Sequence, residues 1–347
     1  MTLLIFKVNQ LGDNVVYLPV VQSLVAAHPD WRIIVLTSPA AARLYEVCCP
    51  QVGLRVFETT KFNSAWRTPW HLARMAADLR ALKPDACLLG DDQGNVAHLL
   101  ARLSGAPLCV GPQTPHVRVN SLLHHREPVL GDESVAAHNW RIAASRFALP
   151  QSMPAPDLRA FGSDSSQAIV IHAGASREYQ RWPLHHFIEL ANRLAQTHPV
   201  RWISQGEDVG LHASVQQVKT TTLDDLVRVL AGARLFVGNN SGPMHIAAAV
   251  GTPGVIIVGP SSPRWDPPWH SDRFDLLREP RLTCQPCDTA TKPVNRCLNL
   301  RMPMACMNRW SVDAVHERVV RPVLEKIVIL TGERSGPSGK AGAPPAI

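Results

Sequence analysis

No run in this 347-residue chain approaches the roughly 18 consecutive apolar residues that a membrane-crossing helix needs. Its opening, Met1-Thr-Leu-Leu-Ile-Phe-Lys7, has neither a basic start nor a small-residue cleavage site and reads as a strand, not a signal peptide. A cytosolic protein is the expectation, with at most a peripheral position at the inner face of the cytoplasmic membrane. Runs of lysine or arginine are also missing. The net charge of +7 is scattered, which speaks against nucleic acid and for an anionic substrate or an anionic membrane surface. The first glycine-bearing turn is Leu11-Gly12-Asp13-Asn14 and not Gly-x-Gly-x-x-Gly, so a dinucleotide-dependent oxidoreductase is disfavoured.

What is present is an alternation of strands and helices. Apolar strands at 3–6, 31–36, 52–57, 86–89 and 108–110 alternate with helical patterns at 15–25, 40–47, 71–82, 96–103 and 135–149. Residues 61–69, which hold Lys61, Phe62, Trp66 and Arg67 without clear periodicity, read as an amphipathic loop. Pro150, Pro154 and Pro156 mark residues 150–166 as a linker. Strands at 168–171, 201–204, 235–237 and 255–258 then alternate with helices at 186–197 and 223–231, and a last helix runs over 312–330. The length suits two domains, placed at 1–155 and 156–331, with residues 332–347 as a disordered tail. The pattern implies two doubly wound parallel sheets facing across a cleft, with ligands where the carboxyl ends of the strands meet.

Polar turns sit at those ends. Gly238-Asn-Asn-Ser-Gly-Pro-Met-His245 joins a strand to a helix whose N-terminal amides favour phosphate, which makes Asn240, Ser241 and Gly242 candidates to hold one. Helix capping is the competing explanation of Ser241. Asp13 follows the first strand: it is either a helix-start carboxylate favoured by the dipole or a general base at the cleft mouth. The turn at 90–95, Gly-Asp-Asp-Gln-Gly-Asn, converges on the same face. Asp91-Asp92 could be mistaken for a metal-holding pair, but it lies in the half that lacks the phosphate loop.

Eight cysteines are present. Cys48, Cys49, Cys87 and Cys109 lie in or beside apolar segments and read as buried thiols. In Cys284-x2-Cys287-x9-Cys297-x8-Cys306 the first pair has zinc-knuckle spacing and the later two lack a matching partner. Free thiols are expected, with a structural zinc as the alternative.

Taken together, four features resemble the glycosyltransferase family 9 enzymes, the ADP-heptose:lipopolysaccharide heptosyltransferases and their relatives, over residues 1–330. They are a start ending in Asn9-Gln-Leu-Gly-Asp13, His172-Ala-Gly-Ala followed by Arg181-Trp-Pro183, the Gly238 to His245 segment with Ile-Ala-Ala-Ala after it, and the late Cys-x2-Cys…Cys-Met. The resemblance implies a GT-B fold of two Rossmann-like domains. It implies an acceptor, an anionic glycan or glycolipid, on the first domain and a nucleotide-sugar donor such as ADP-heptose on the second. It also implies inverting transfer without a metal or other cofactor. Asp13 would be the general base, and Arg181 stands where the family usually has a lysine that steadies the diphosphate. His172, Gly174, Ser176, Glu207, Asn240, Ser241, Gly242, Pro243, Met244 and His245 would line the donor side. Asn9, Gln10, Gly12, Lys61, Gln93 and Arg118 would line the acceptor side. Asn240 replaces an aspartate common in the family, and Asn9-Gln10 replaces a pair of small hydroxyl residues.

Leaving-group stabilisation by a cation and oriented amides, with a carboxylate taking the acceptor's proton, is chemistry that these residue types can supply. Rival readings are a nucleotide-sugar epimerase, which needs further carboxylates around the sugar, and a non-catalytic nucleotide-sugar-binding protein.

Overall fold

The structure, a computed structural model, describes residues 1–115, 117–204, 210–279, 281–289, 294 and 296–317. Two six-stranded sheets organise it, and every pairing in both is parallel. The first contains β1 (Thr2–Lys7), β2 (Arg32–Thr37), β3 (Gly53–Val56), β4 (Ala86–Leu89), β5 (Leu108–Gln113) and β6 (His125–Pro128), in the order β3-β2-β1-β4-β5-β6. The second contains β7 (Ile169–His172), β8 (Val200–Ser204), β9 (Val215–Lys219), β10 (Leu235–Asn239), β11 (Gly254–Ile257) and β12 (Phe274–Leu277), in the order β12-β11-β10-β7-β8-β9. Each sheet therefore reverses its strand order at its centre, between β1 and β4 and between β7 and β10. In open parallel sheets that reversal opens a crevice at the carboxyl ends.

Helices cover the faces of the sheets. They are α1 (Leu11–Ala27), α2 (Pro39–Cys48), α3 (Thr59–Asn63), α4 (Pro69–Ala81), α5 (Asn95–Leu103), α6 (Val135–Ala144), α7 (Leu184–Leu194), α8 (Leu223–Ala231), α9 (Gly242–Ala249), α10 (Ala305–Asn308) and α11 (Val312–Val315). The central strands are apolar along their whole length because both of their faces are covered: Leu3, Leu4, Ile5 and Phe6 are all fully buried.

The edges are where sequence and structure part. Strands β6, β9 and β12 lie at the ends of the sheets, and none of them shows the apolar run that exposes a central strand. In β9, Val-Gln-Gln-Val-Lys, only Val215 is buried and Val218 half-buried, while Gln216, Gln217 and Lys219 are exposed at the sheet's edge. Residues 61–69 are not a loop: α3, a 3-10 turn at Ala65–Arg67 and the start of α4 occupy them, anchored by buried Phe62 and Ala65. Helix α6 stops at Ala144, short of 149. The proline-rich linker is partly packed, since Leu158 and Phe161 are buried and Asp164 pairs with Arg201. Of the helix expected at 312–330, the described part is α11. Its remainder and the tail lie outside the described residues.

The two halves are not held apart everywhere. Helix α1 packs on α9, and one apolar cluster runs without a break from Val15 and Leu18 in the first half to Met244 and Ile246 in the second. Among the described residues no helix is long and apolar enough to cross a membrane.

Candidate active site

At the switch point of the first sheet, the turns after β1 and β4 meet. Asp13 is half-buried in the first turn of α1, and its Oδ2 accepts the amide of Gln10 at 3.0 Å, so the capping explanation is correct as far as it goes. Removal from water raises its pKa to about 7, helped by the nearby Asp92 and opposed by Lys7 and the Gln10 amide. A carboxyl that titrates near neutrality suits proton transfer. Lys7 is fully buried, forms an ion pair with Asp92 and lies 5.5 Å from the ring centre of Tyr17. The Nε2 of Gln93 donates to the Asn9 side chain, while the Asn9 carbonyl accepts Ser38 Oγ at 2.5 Å. Asn9 and Gln93 thus brace the two turns against each other. Gln10, Lys61 and Arg118 are exposed, and the Arg118 amide is held by Asn95 Oδ1 at 2.9 Å.

At the switch point of the second sheet lies an open cavity of about 910 Å³. His172, Gly174, Ser176 and Arg181 line one side, Ser241, Gly242 and Pro243 another, and Trp202, Ile203, Thr220 and Leu226 its far end. The volume is of the size that a nucleotide sugar needs. Arg181 is exposed into it and is steadied by Nε donating to the Ala175 carbonyl at 2.9 Å.

Ser241 occupies the N-cap position of α9, yet its side chain caps nothing. Its Oγ donates to the Asn239 carbonyl at 3.3 Å and leaves the helix start without a side-chain partner, the condition in which it can accept an anion. Three buried polar atoms on the neighbouring elements, Asn240 Nδ2, His245 Nδ1 and Trp202 Nε1, have no hydrogen-bond partner among the described residues. Burial lowers the His245 pKa to about 4, so the ring is neutral. Met244 is fully buried in the core and supports α9 from below. Glu207 lies outside the described residues.

The two switch points touch. A Cβ placed on Gly12 would lie 2.9 Å from the Cα of Gly242 and 3.1 Å from Cδ2 of His245. The residue before Asp13 therefore packs directly on the start of α9.

Comparison with known proteins points to one family. The model of glycosyltransferase family 9 (heptosyltransferase) matches residues 134–297, which include the cavity-lining residues from His172 to Pro243. The chain is 26% identical over 297 residues to lipopolysaccharide heptosyltransferase 1 of Escherichia coli K12, covering 76% of this chain and 89% of the relative. It is 32% identical over 113 residues to lipooligosaccharide heptosyltransferase 2 of Haemophilus influenzae, a match covering 28% of this chain and 32% of that relative. Its fold is that of the E. coli heptosyltransferase WaaC with ADP, with a TM-score of 0.67 at 18% identity over 92% of this chain and 99% of the other. The fold is GT-B.

Two features of the glycosyltransferase were missed in the sequence. Asn239 is fully buried: its Oδ1 accepts the Trp182 amide at 2.9 Å, and its Nδ2 donates to the carbonyls of Ala173 at 2.8 Å and Gly174 at 3.4 Å. Of the two adjacent asparagines, the first therefore ties together the loops after β7, while the second is buried with its Nδ2 unpartnered among the described residues. Their alternation along a strand end was the available signal.

The other is a buried ionic link between the lobes. Arg264, from the loop after β11, donates through Nη2 to both oxygens of Asp91 at 3.3 Å and through Nε to the Glu133 carbonyl at 2.9 Å. His138 also holds Asp91, and its Nε2 contacts the Glu127 carbonyl at 3.0 Å. Burial would raise the Asp91 pKa, but the His138 hydrogen bond and the charges of His138, Arg264 and Lys7 keep it below the ordinary value. Asp91 is thus a structural anion and not part of a metal pair.

All eight cysteines are free. Cys49, Cys87 and Cys109 are buried and Cys48 half-buried, whereas Cys284, Cys287, Cys297 and Cys306 line one cavity of about 20 Å³. Among the described residues no group of three or more histidine, cysteine or acidic side chains is arranged to hold a metal ion.

Proposed function

We propose that the transferase moves heptose from ADP-heptose to a lipopolysaccharide-core acceptor, in the cytoplasm, by a single inverting displacement that needs no metal. The donor's diphosphate would lie along Ser176, Arg181 and the start of α9 at Ser241 and Gly242, with the nucleoside towards Trp202 and Thr220. The acceptor would approach over Asn9, Gln10, Gly12 and Gln93, with Lys61 and Arg118 meeting its anionic groups. Asp13 takes the proton from the acceptor hydroxyl as its oxygen bonds to the anomeric carbon. The bond from that carbon to the β-phosphate oxygen breaks on the opposite face, and its electron pair leaves with ADP. Charge developing on the leaving phosphate meets the Arg181 guanidinium and the helix dipole.

One observation supports this reading: Gly12 packs on Gly242, which brings the turn that carries Asp13, a carboxyl with a raised pKa, against the start of α9 in the other lobe. Such a juxtaposition suits direct transfer between two bound substrates. The test is to incubate the protein with ADP-heptose and a heptose-deficient lipopolysaccharide acceptor, with and without EDTA, and to determine the anomeric configuration of the product. Inverted product formed in EDTA, lost in Asp13→Ala while ADP affinity is kept, supports the proposal. Retained configuration, or undiminished turnover in Asp13→Ala, overturns the mechanism.

A further inference from the structure

The end of β1 and the turn after β4 bury one cation beside two carboxylates. Lys7 closes β1, and its side chain is fully removed from water. Gly90 makes the space that it occupies, since a Cβ there would lie 2.9 Å from Lys7 Cδ and 3.3 Å from Nζ. Two residues on, Asp92 forms an ion pair with the ammonium, and Gln93 Nε2 donates to Asp92 Oδ1 at 3.4 Å. Lys7 Nζ also stands 5.5 Å from the ring centre of Tyr17. Tyr17 follows Asp13 by one helical turn on α1, so the cation lies along the face of the helix that carries Asp13.

The other charges at this switch point are engaged or absent. Asp91 takes both Arg264 and His138. The ring of His245, which α9 brings against Gly12, is neutral, and burial holds the phenols of Tyr17 and Tyr45 neutral as well. Lys7 is therefore left to serve Asp13 and Asp92 together. One ammonium cannot compensate two carboxylates in a dry site, and Asp92 already has it as a partner. Burial is the first cause of the tight hold that Asp13 keeps on its proton; among the charges Asp92 and, less strongly, Asp91 add to that hold, and Lys7 opposes it.

We propose that Lys7 and Asp92 are positioning residues for the transfer reaction, an ion pair that acts through Asp13 and sets its strength as a base. The anion makes Asp13 basic enough to take a hydroxyl proton, and the ammonium keeps enough of it ionised to do so near neutrality. The inference rests on the reading of Asp13 as the base.

The test follows kcat/KM against pH and, without turnover, the 13C resonance of the Asp13 carboxyl, assigned by its absence from Asp13→Asn. Asp92→Asn keeps the shape and removes one negative charge, so both midpoints should fall by about one pH unit. The plateau of kcat/KM should also drop about two- to fivefold, because a weaker base accepts the proton less readily. Lys7→Gln should move both midpoints up by about one unit, and the double variant should return them part of the way. Asp92→Glu, which keeps the charge, should titrate like the unaltered protein. Asp92 retains 17% of its side chain in water, so Asp92→Asn decides the matter even if Lys7→Gln fails to fold.

A fall in kcat/KM at every pH with both midpoints unmoved would mean that the pair only holds the two turns together, and overturns the proposal. A midpoint that rises in Asp92→Asn overturns it equally. A carboxyl titration that shifts as expected under a rate profile that ignores it would uphold the hold of the ion pair on Asp13 and refute Asp13 as the base, which separates the two readings.

Discussion

Gly12 and Gly242, 230 positions apart in the sequence, form a backbone contact that a single methyl group would break. The obstacle to a Cβ on Gly12 is the Cα of Gly242, which has no side-chain torsion to move aside, and His245 closes the remaining space. Gly12→Ala should therefore force the two switch points apart, costing about 1–3 kcal/mol of stability and lowering kcat by tenfold or more. Thermal unfolding and steady-state kinetics check both.

The raised pKa of Asp13 sets the pH behaviour. With Asp13 as the base proposed above, the carboxylate is the form that accepts a proton, so kcat/KM should rise with pH and level off above about 7. Asp13→Asn should lose about 10²–10⁴-fold in rate at pH 8. Stability runs the other way. Folded Asp13 holds its proton more tightly than the unfolded chain, whose ordinary value is 3.8, so stability falls as pH rises from about 4 to 7. Asp13→Asn removes that loss. The variant should melt higher than the unaltered protein at pH 8 and alike near pH 3.5, a difference that scanning calorimetry reads directly.

Arg264 and Asp91 allow a double-mutant cycle. Arg264→Met should destabilise the fold by roughly 3 kcal/mol, the lower end of the usual cost of breaking a buried pair, because His138 continues to hold Asp91. Adding Asp91→Asn should recover part of the loss, since no buried anion is then left without its guanidinium. Denaturant unfolding of the four proteins measures the coupling.

On the proposed donor site, Arg181 and Asn239 should support ADP binding for different reasons. Arg181→Ala should weaken ADP binding by about ten- to a hundredfold, the range for losing one charge-assisted contact, and Arg181→Lys should restore part of it. Asn239→Ala should weaken ADP binding and also lower the melting temperature, because it frees the Trp182 amide and two loop carbonyls inside the protein. Calorimetric titration with ADP and thermal unfolding separate the two roles.

The sequence displayed the central strands and the turns at their ends because burial on both faces demands unbroken apolar runs, and a change of element demands glycine, proline or asparagine. The positions of Asp13 and of the Ser241-Gly242 turn at strand ends were legible for that reason, whereas Arg181 was singled out only through the family resemblance. Three of the edge strands, β6, β9 and β12, were not: β6 reads His-Arg-Glu-Pro, with no apolar run and none of its residues fully buried. Nor was the Arg264–Asp91 link, whose partners are 173 residues apart and carry no local pattern. Asn239 was hidden differently, since it looked like its neighbour Asn240 and only the structure shows that the last residue of β10 holds the Trp182 amide and the loop carbonyls.

Both sheets follow one strand order, so the enzyme is a crevice made twice and joined mouth to mouth. Each copy can change its lining without disturbing the other's strands. A lineage could thus exchange the molecule that receives the sugar while retaining the molecule that supplies it, provided that the small residues where the copies meet stay small.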